Sequence, residues 1–145
     1  MKQGGMQHVG KEPLVSAVCN AGALGILTAL TQPSPDALRE EIRKTRSRLR
    51  PDVAKRCPKY GAFGVNITLL PSINPPDYAG YAKAALEEGV RIFETAGNNP
   101  GPIIKLLKEN GAYVIHKCTA VRHALSSQRM GVDCLSIDGF ECAGQ

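Results

Sequence analysis

Long apolar runs, paired cysteine motifs, aromatic residues and the common catalytic signatures are scarce or missing in this sequence of 145 residues. No stretch approaches the ~18 uninterrupted apolar residues of a membrane span, and the opening Met1 to Met6 lacks the apolar core of a signal peptide. A soluble, cytoplasmic protein with no membrane partner is therefore expected. The five cysteines are an odd number and include no C-x-x-C pair, which argues for reduced intracellular thiols and against a disulfide framework. H-E-x-x-H, G-x-S-x-G and the P-loop are absent, and Cys134 and Cys142 stand too far apart for a zinc knuckle. These absences exclude the corresponding metalloprotease, hydrolase and nucleotide chemistries.

What is present fits one packed domain over residues 1–145: 43% of positions are hydrophobic and 21% charged. Fifteen glycines and ten prolines point to many short turns and exclude a long coiled coil. The net charge of +5 is local, because nine Lys or Arg and three acids fall between Arg39 and Lys59, leaving the rest of the chain at −1. That basic stretch is largely a helix over residues 34 to 50. Ser34 is its N-cap, Pro35 its first residue, and Leu38, Ile42, Thr45 and Leu49 its buried stripe. Its arginines then face water, and with no aromatic residues or phosphate-cradling glycines interleaved, no nucleic-acid partner is expected.

Short, continuous apolar runs at Gly25 to Leu30, Phe63 to Leu69, Arg91 to Thr95, Tyr113 to Cys118 and Cys134 to Ile137 read as buried parallel strands. Between them the spacing predicts helices over 13–21, 34–50, 76–88, 100–110 and 120–130, with glycine stops at Gly22, Gly89, Gly111 and Gly131. Alternating β and α implies an α/β parallel sheet with right-handed crossovers. Two architectures use that pattern, the open doubly wound sheet and the eight-stranded barrel. Length favours the former, since the barrel takes about 250 residues. Against it, no helix follows the last strand and only Met1 to Gln3 precede the Gly4-Gly5 turn, so the chain reads as cut rather than finished.

In either architecture ligands bind where strands end. Asn66, inside the second apolar run, needs polar partners: it either bonds neighbouring backbone or holds a polar heterocycle. Lys117, ending the fourth strand, needs an anion, and a ligand role is favoured. His116 alternates with Lys117 and should point to the helix layer as a structural residue, while His8 and His123 are assigned no chemistry. Asp138 and Glu141 could serve acid/base or metal chemistry, although D-x-x-E spacing alone is a weak signal. The turn Gly97 to Gly101 either presents N–H groups to a ligand or is only a turn.

Six segments in order, Gln3-Gly4-Gly5-Met6, Asn20-Ala21-Gly22-Ala23-Leu24-Gly25, Phe63-Gly64-Val65-Asn66, Glu94-Thr95-Ala96-Gly97, His116-Lys117-Cys118-Thr119 and Asp138-Gly139-Phe140-Glu141-Cys142-Ala143-Gly144, resemble the nitronate monooxygenases. The resemblance runs over essentially the whole chain. It implies an FMN-dependent flavoprotein with a (β/α)₈ TIM barrel, an oxidoreductase that oxidises alkyl nitronates with O₂ by single-electron transfer and needs no metal. It further implies that Gly4, Gly5, Met6 and Asn66 line the isoalloxazine, that Lys117 contacts the flavin, and that Asp138, Ala143 and Gly144 border it. A cationic lysine there would favour the reduced, anionic ring.

Two departures qualify what the resemblance implies. Gln145 stands where the family has a histidine beside the substrate, and glutamine takes no proton at neutral pH. The later glycine-rich loops that hold the FMN phosphate are also not in these 145 residues. The expectation is thus a partial barrel, about the first five or six βα units, inactive as it stands and prone to self-association through open sheet edges. The alternatives are a related flavin-dependent barrel reductase of the enoyl-acyl-carrier-protein reductase type, and a non-catalytic half-barrel.

Overall fold

The computed structural model describes residues 1–139. Five parallel strands, β1 (Gly25–Thr28), β2 (Phe63–Leu69), β3 (Ile92–Gly97), β4 (Tyr113–Cys118) and β5 (Cys134–Ile137), lie in one sheet in the order of the sequence. That order decides between the two architectures. A doubly wound sheet reverses its strand order at a switch point, whereas right-handed crossovers that always step the same way keep every helix on one face and curl the sheet toward closure. The molecule is an arc of a (β/α)₈ barrel.

The outer layer comprises α1 (Glu12–Asn20), α2 (Pro35–Ser47), the short α3 (Pro51–Ala54), α4 (Tyr78–Glu87), α5 (Gly101–Glu109) and α6 (Val121–Arg129). Successive helices α1, α2, α4 and α5 pack side by side. The main core lies between them and the sheet: Leu27, Val65, Ile67, Phe93 and Val114 from the strands meet Val15, Leu38, Ile42, Ala82, Ala85, Ile104 and Leu107 from the helices. Burying each large aliphatic side chain contributes about 1.5–3 kcal/mol.

Start and stop chemistry sets the helix ends. Ser34 Oγ accepts the Ala37 N–H at 3.1 Å, and Gly89, Gly111 and Gly131 take left-handed φ values of 84°, 70° and 87° after α4, α5 and α6. Most boundaries shift by one or two residues from the sequence reading, β3 for instance running to Gly97; three shifts have a clear local cause. β1 stops at Thr28 and becomes a 3₁₀ turn, Ala29–Thr31. α4 begins at Tyr78, capped by Asp77, because Asn74-Pro75-Pro76 is held out of the helical region. The helix expected to reach residue 50 ends at Ser47, and α3 restarts at Pro51, since the residue before a proline disfavours the α conformation.

The basic face of α2 meets the acidic end of α4. Arg43 forks onto the Glu88 carboxylate with contacts of 3.1 and 2.6 Å, Arg39 pairs with Glu87, and Arg46 donates to the Glu88 carbonyl. Arg43 holds the Glu88 carboxyl below the usual carboxylate range. On the outer edge of β1, Lys2 makes a single parallel bridge to Leu24, so the segment before Gly4 adds a vestige of one further strand. Cys19, Cys57, Cys118 and Cys134 are free. Among the described residues no helix is long and apolar enough to cross a membrane.

Candidate functional site

Side chains alternate across a strand, so the residues between the core positions form the inner, concave face. Register aligns them: Ile26 beside Gly64, Thr28 beside Asn66, Asn66 beside Glu94, Glu94 beside Ile115, and Lys117 beside Ser136. Toward the beginnings of the strands this face is apolar and tight. A Cβ on Gly64 would come within 2.8 Å of Ile26 and 2.9 Å of Ile92. Toward the strand ends it turns polar, with Thr28, Asn66, Thr68, Glu94, Lys117 and Asp138.

Glu94 lies at the centre of that band and is completely buried. Its Oε1 accepts from the Gly5 N–H at 2.9 Å and from Asn66 Nδ2 at 2.9 Å, and its Oε2 pairs with Lys2 Nζ. Asn66 Oδ1 in turn accepts from Thr68 Oγ1 at 2.9 Å. The carboxamide is thus held at both ends. A buried polar group left without partners costs about 1–3 kcal/mol, and among the described residues no buried side-chain polar atom lacks one.

The Gln3 to Met6 segment is tied along this face at three points. Gln3 Oε1 accepts the Ile26 N–H at 3.1 Å, Gly5 bonds Glu94, and Thr28 Oγ1 accepts the Met6 N–H at 2.9 Å while donating to the Met6 carbonyl at 3.0 Å. Gly5 presses directly on Asn66, where a Cβ would stand 2.4 Å from Cγ. Only glycine lets the backbone approach that closely. Lys117 Nζ pairs with Asp138 Oδ2 at 2.9 Å, so β4 and β5 together supply a cation and its counter-charge.

Gly4, Gly5, Met6, Asn66 and Lys117 share one cleft of about 770 Å³, lined also by Gln7, Thr28, Leu30, Thr68 and Leu70. That volume lies within the ~300–1,000 Å³ typical of small-molecule sites. A second, smaller cavity of about 170 Å³ lies against Phe63 and Val90, near the beginnings of β2 and β3, away from the polar band. Asp138 sits beside Lys117. Ala143, Gly144 and Gln145, like Glu141, lie outside the described residues.

His116 points to the helix side, as its alternation with Lys117 requires. It is buried and hydrogen-bonded through Nδ1 to Thr95 Oγ1 at 2.9 Å. Burial, and to a lesser degree the charge of His123, pushes its pKa below the ordinary histidine value. In the turn after β3, the Asn98 N–H donates to the Leu69 carbonyl at 2.8 Å, which ties that loop to β2. Sequence reasoning about individual site residues passed over Glu94 and Lys2. Glu94 left one clue, a carboxylate inside the apolar run Ile92-Phe93-Glu94-Thr95, where it must meet donors.

The family model for nitronate monooxygenase matches residues 1–145. The chain belongs to the nitronate monooxygenase family. This oxidoreductase family also brings it near enzymes of other names. The chain is 34% identical, over 98% of its length, to a Mycobacterium tuberculosis (3aS,4S,5R,7aS)-5-hydroxy-7a-methyl-1-oxo-octahydro-1H-indene-4-carboxyl-CoA dehydrogenase, and covers 36% of that protein. The structure of FabK from Thermotoga maritima superposes with a TM-score of 0.80 at 32% identity, over 97% of this chain and 40% of that one. A nitroalkane oxidase from Streptomyces ansochromogenes shares the fold, with a TM-score of 0.73 at 20% identity, over 97% of this chain and 46% of that one. The chain therefore spans less than half the length of these relatives.

Proposed function

We propose that the protein is a flavin-dependent oxidoreductase whose cleft takes FMN and whose substrate is an alkyl nitronate oxidised at the expense of O₂. The observation that carries this reading is the inner polar face: a glycine backbone closed down on a fixed carboxamide, with a lysine across the same cleft. The isoalloxazine is flat, with one apolar edge and one edge rich in carbonyl and ring nitrogen. Gly4 and Gly5 offer a surface without side chains, Met6, Leu30 and Leu70 suit the apolar edge, and Asn66 and Lys117 suit the polar one. The donor set therefore fits the ring end of such a cofactor.

Bound FMN would supply reversible electron acceptance and reactivity toward dioxygen. The chain's own part is to bind and orient. Asn66 keeps a fixed amide toward the ring, and Lys117 places positive charge where an anionic nitronate and a reduced ring both need it. Asp138 restrains that charge by holding the ammonium at 2.9 Å. FMN's phosphate would require further groups, since no glycine-rich phosphate loop occurs in these 145 residues.

A second reading has one specific support. A relative at 34% identity is named as a dehydrogenase of a carboxyl-CoA compound, a thioester. Oxygen uptake and NAD(P)H oxidation separate the two. Nitronate-dependent oxygen uptake by an FMN-loaded, longer chain that also carries phosphate-binding groups is the result expected. Steady NAD(P)H oxidation with an enoyl thioester, and none of the former, transfers the assignment to the reductase class.

A further inference from the structure

Among the described residues, Glu94 is the one fully buried carboxylate of the inner face, and nothing in the proposed chemistry uses it. Its position explains why. It does not line the cleft; it lies one layer behind, touching two groups that do. A single oxygen, Oε1, receives both the Gly5 N–H and Asn66 Nδ2, each at 2.9 Å. Loop and carboxamide, which belong to different segments of the chain, are thereby registered to one atom. The second oxygen is engaged by Lys2, so the carboxylate is compensated and its charge is not directed at the cleft.

We infer that Glu94 is a positioning residue for the flavin ring, acting through Asn66 and Gly5, and that its reach matters more than its charge. This rests on the flavin reading of the cleft. Asn66 has two chemically different ends, and the one that donates is fixed because Glu94 can only accept while Thr68 Oγ1 donates to the other. The second N–H of that amide and the free lone pair of Oδ1 are then set in direction. Gly5 packs so closely on the Asn66 side chain that a Cβ there would stand 2.4 Å from Cγ, so loop and carboxamide form one contiguous wall. Displacing the Oε1 acceptor moves both at once.

Two conservative variants separate reach from charge. Glu94→Asp keeps the negative charge beside Lys2 but withdraws the acceptor by one methylene. Glu94→Gln keeps an acceptor oxygen at full reach and gives up the charge. FMN titration followed by flavin fluorescence, together with amide hydrogen exchange at Gly5, reads the result. Expected for E94D is FMN binding weakened about tenfold or more, as for losing hydrogen bonds to a charged group, with Gly5 exchanging faster. E94Q is expected to stay within about threefold of the parent and to keep Gly5 protected. The reverse order, or E94D indistinguishable from the parent in both readouts, overturns the inference. Should the parent protein take up no FMN, the flavin reading falls, and the exchange data alone decide whether Glu94 pins the loop: protection lost in E94D upholds the pinning, and protection retained refutes it.

Discussion

Gly5 has no room for a methyl group. A Cβ there would sit 2.4 Å from Asn66 Cγ, and Asn66 cannot give way because Glu94 and Thr68 hold its two ends. Gly5→Ala is therefore expected to cost about 1–3 kcal/mol by overpacking and to weaken FMN binding, read from urea midpoints and a flavin titration. His116 makes a different prediction. Its folded pKa is depressed by burial, so below about pH 6.5 the unfolded chain holds the extra proton. Its contribution to stability is complete above that value and declines as pH falls toward the folded pKa; His116→Gln should flatten that part of the urea-midpoint profile. That Asn66 needs polar partners, that Lys117 needs an anion and that His116 faces the helix layer was legible from their places in apolar runs. Glu94 was less so, because a continuous apolar run carries no alternation to reveal which face a single acid occupies. The pairing of Lys117 with Asp138 depends on the β4 to β5 register, which no local pattern encodes.

Elements were more legible than residues where their boundary chemistry was complete. The runs at Phe63–Leu69, Tyr113–Cys118 and Cys134–Ile137 coincide with β2, β4 and β5, because glycine or a helix cap flanks each of them. Where prolines intervene, as before α4 and α3, pattern alone overran the ends. Ser34→Ala removes the acceptor for the Ala37 N–H and is expected to destabilise the protein by about 1 kcal/mol, measured by chemical denaturation. The exposed pairing of α2 with α4 is worth less. Surface ion pairs contribute about 0–1 kcal/mol, so the match of Arg43 with Glu88 serves the alignment of neighbouring helices more than overall stability.

At the scale of the whole molecule, strand order is what no composition could supply. The sequence pattern left an open sheet and a barrel both standing; the unbroken β1-β2-β3-β4-β5 order selects the barrel, and with it the single concave face that gathers Gly4, Gly5, Asn66 and Lys117. Val121, Leu125 and Ile137 on α6 and the edge strand β5 are exposed. We propose that the 145-residue chain self-associates through that edge; sedimentation showing only monomer would refute this. The most direct test of the flavin reading is an FMN titration of a longer chain that also carries phosphate-binding groups, following flavin fluorescence and particle mass together. Saturable, equimolar uptake that Lys117→Met weakens is the result predicted. Uptake of no flavin by a folded particle would contradict it.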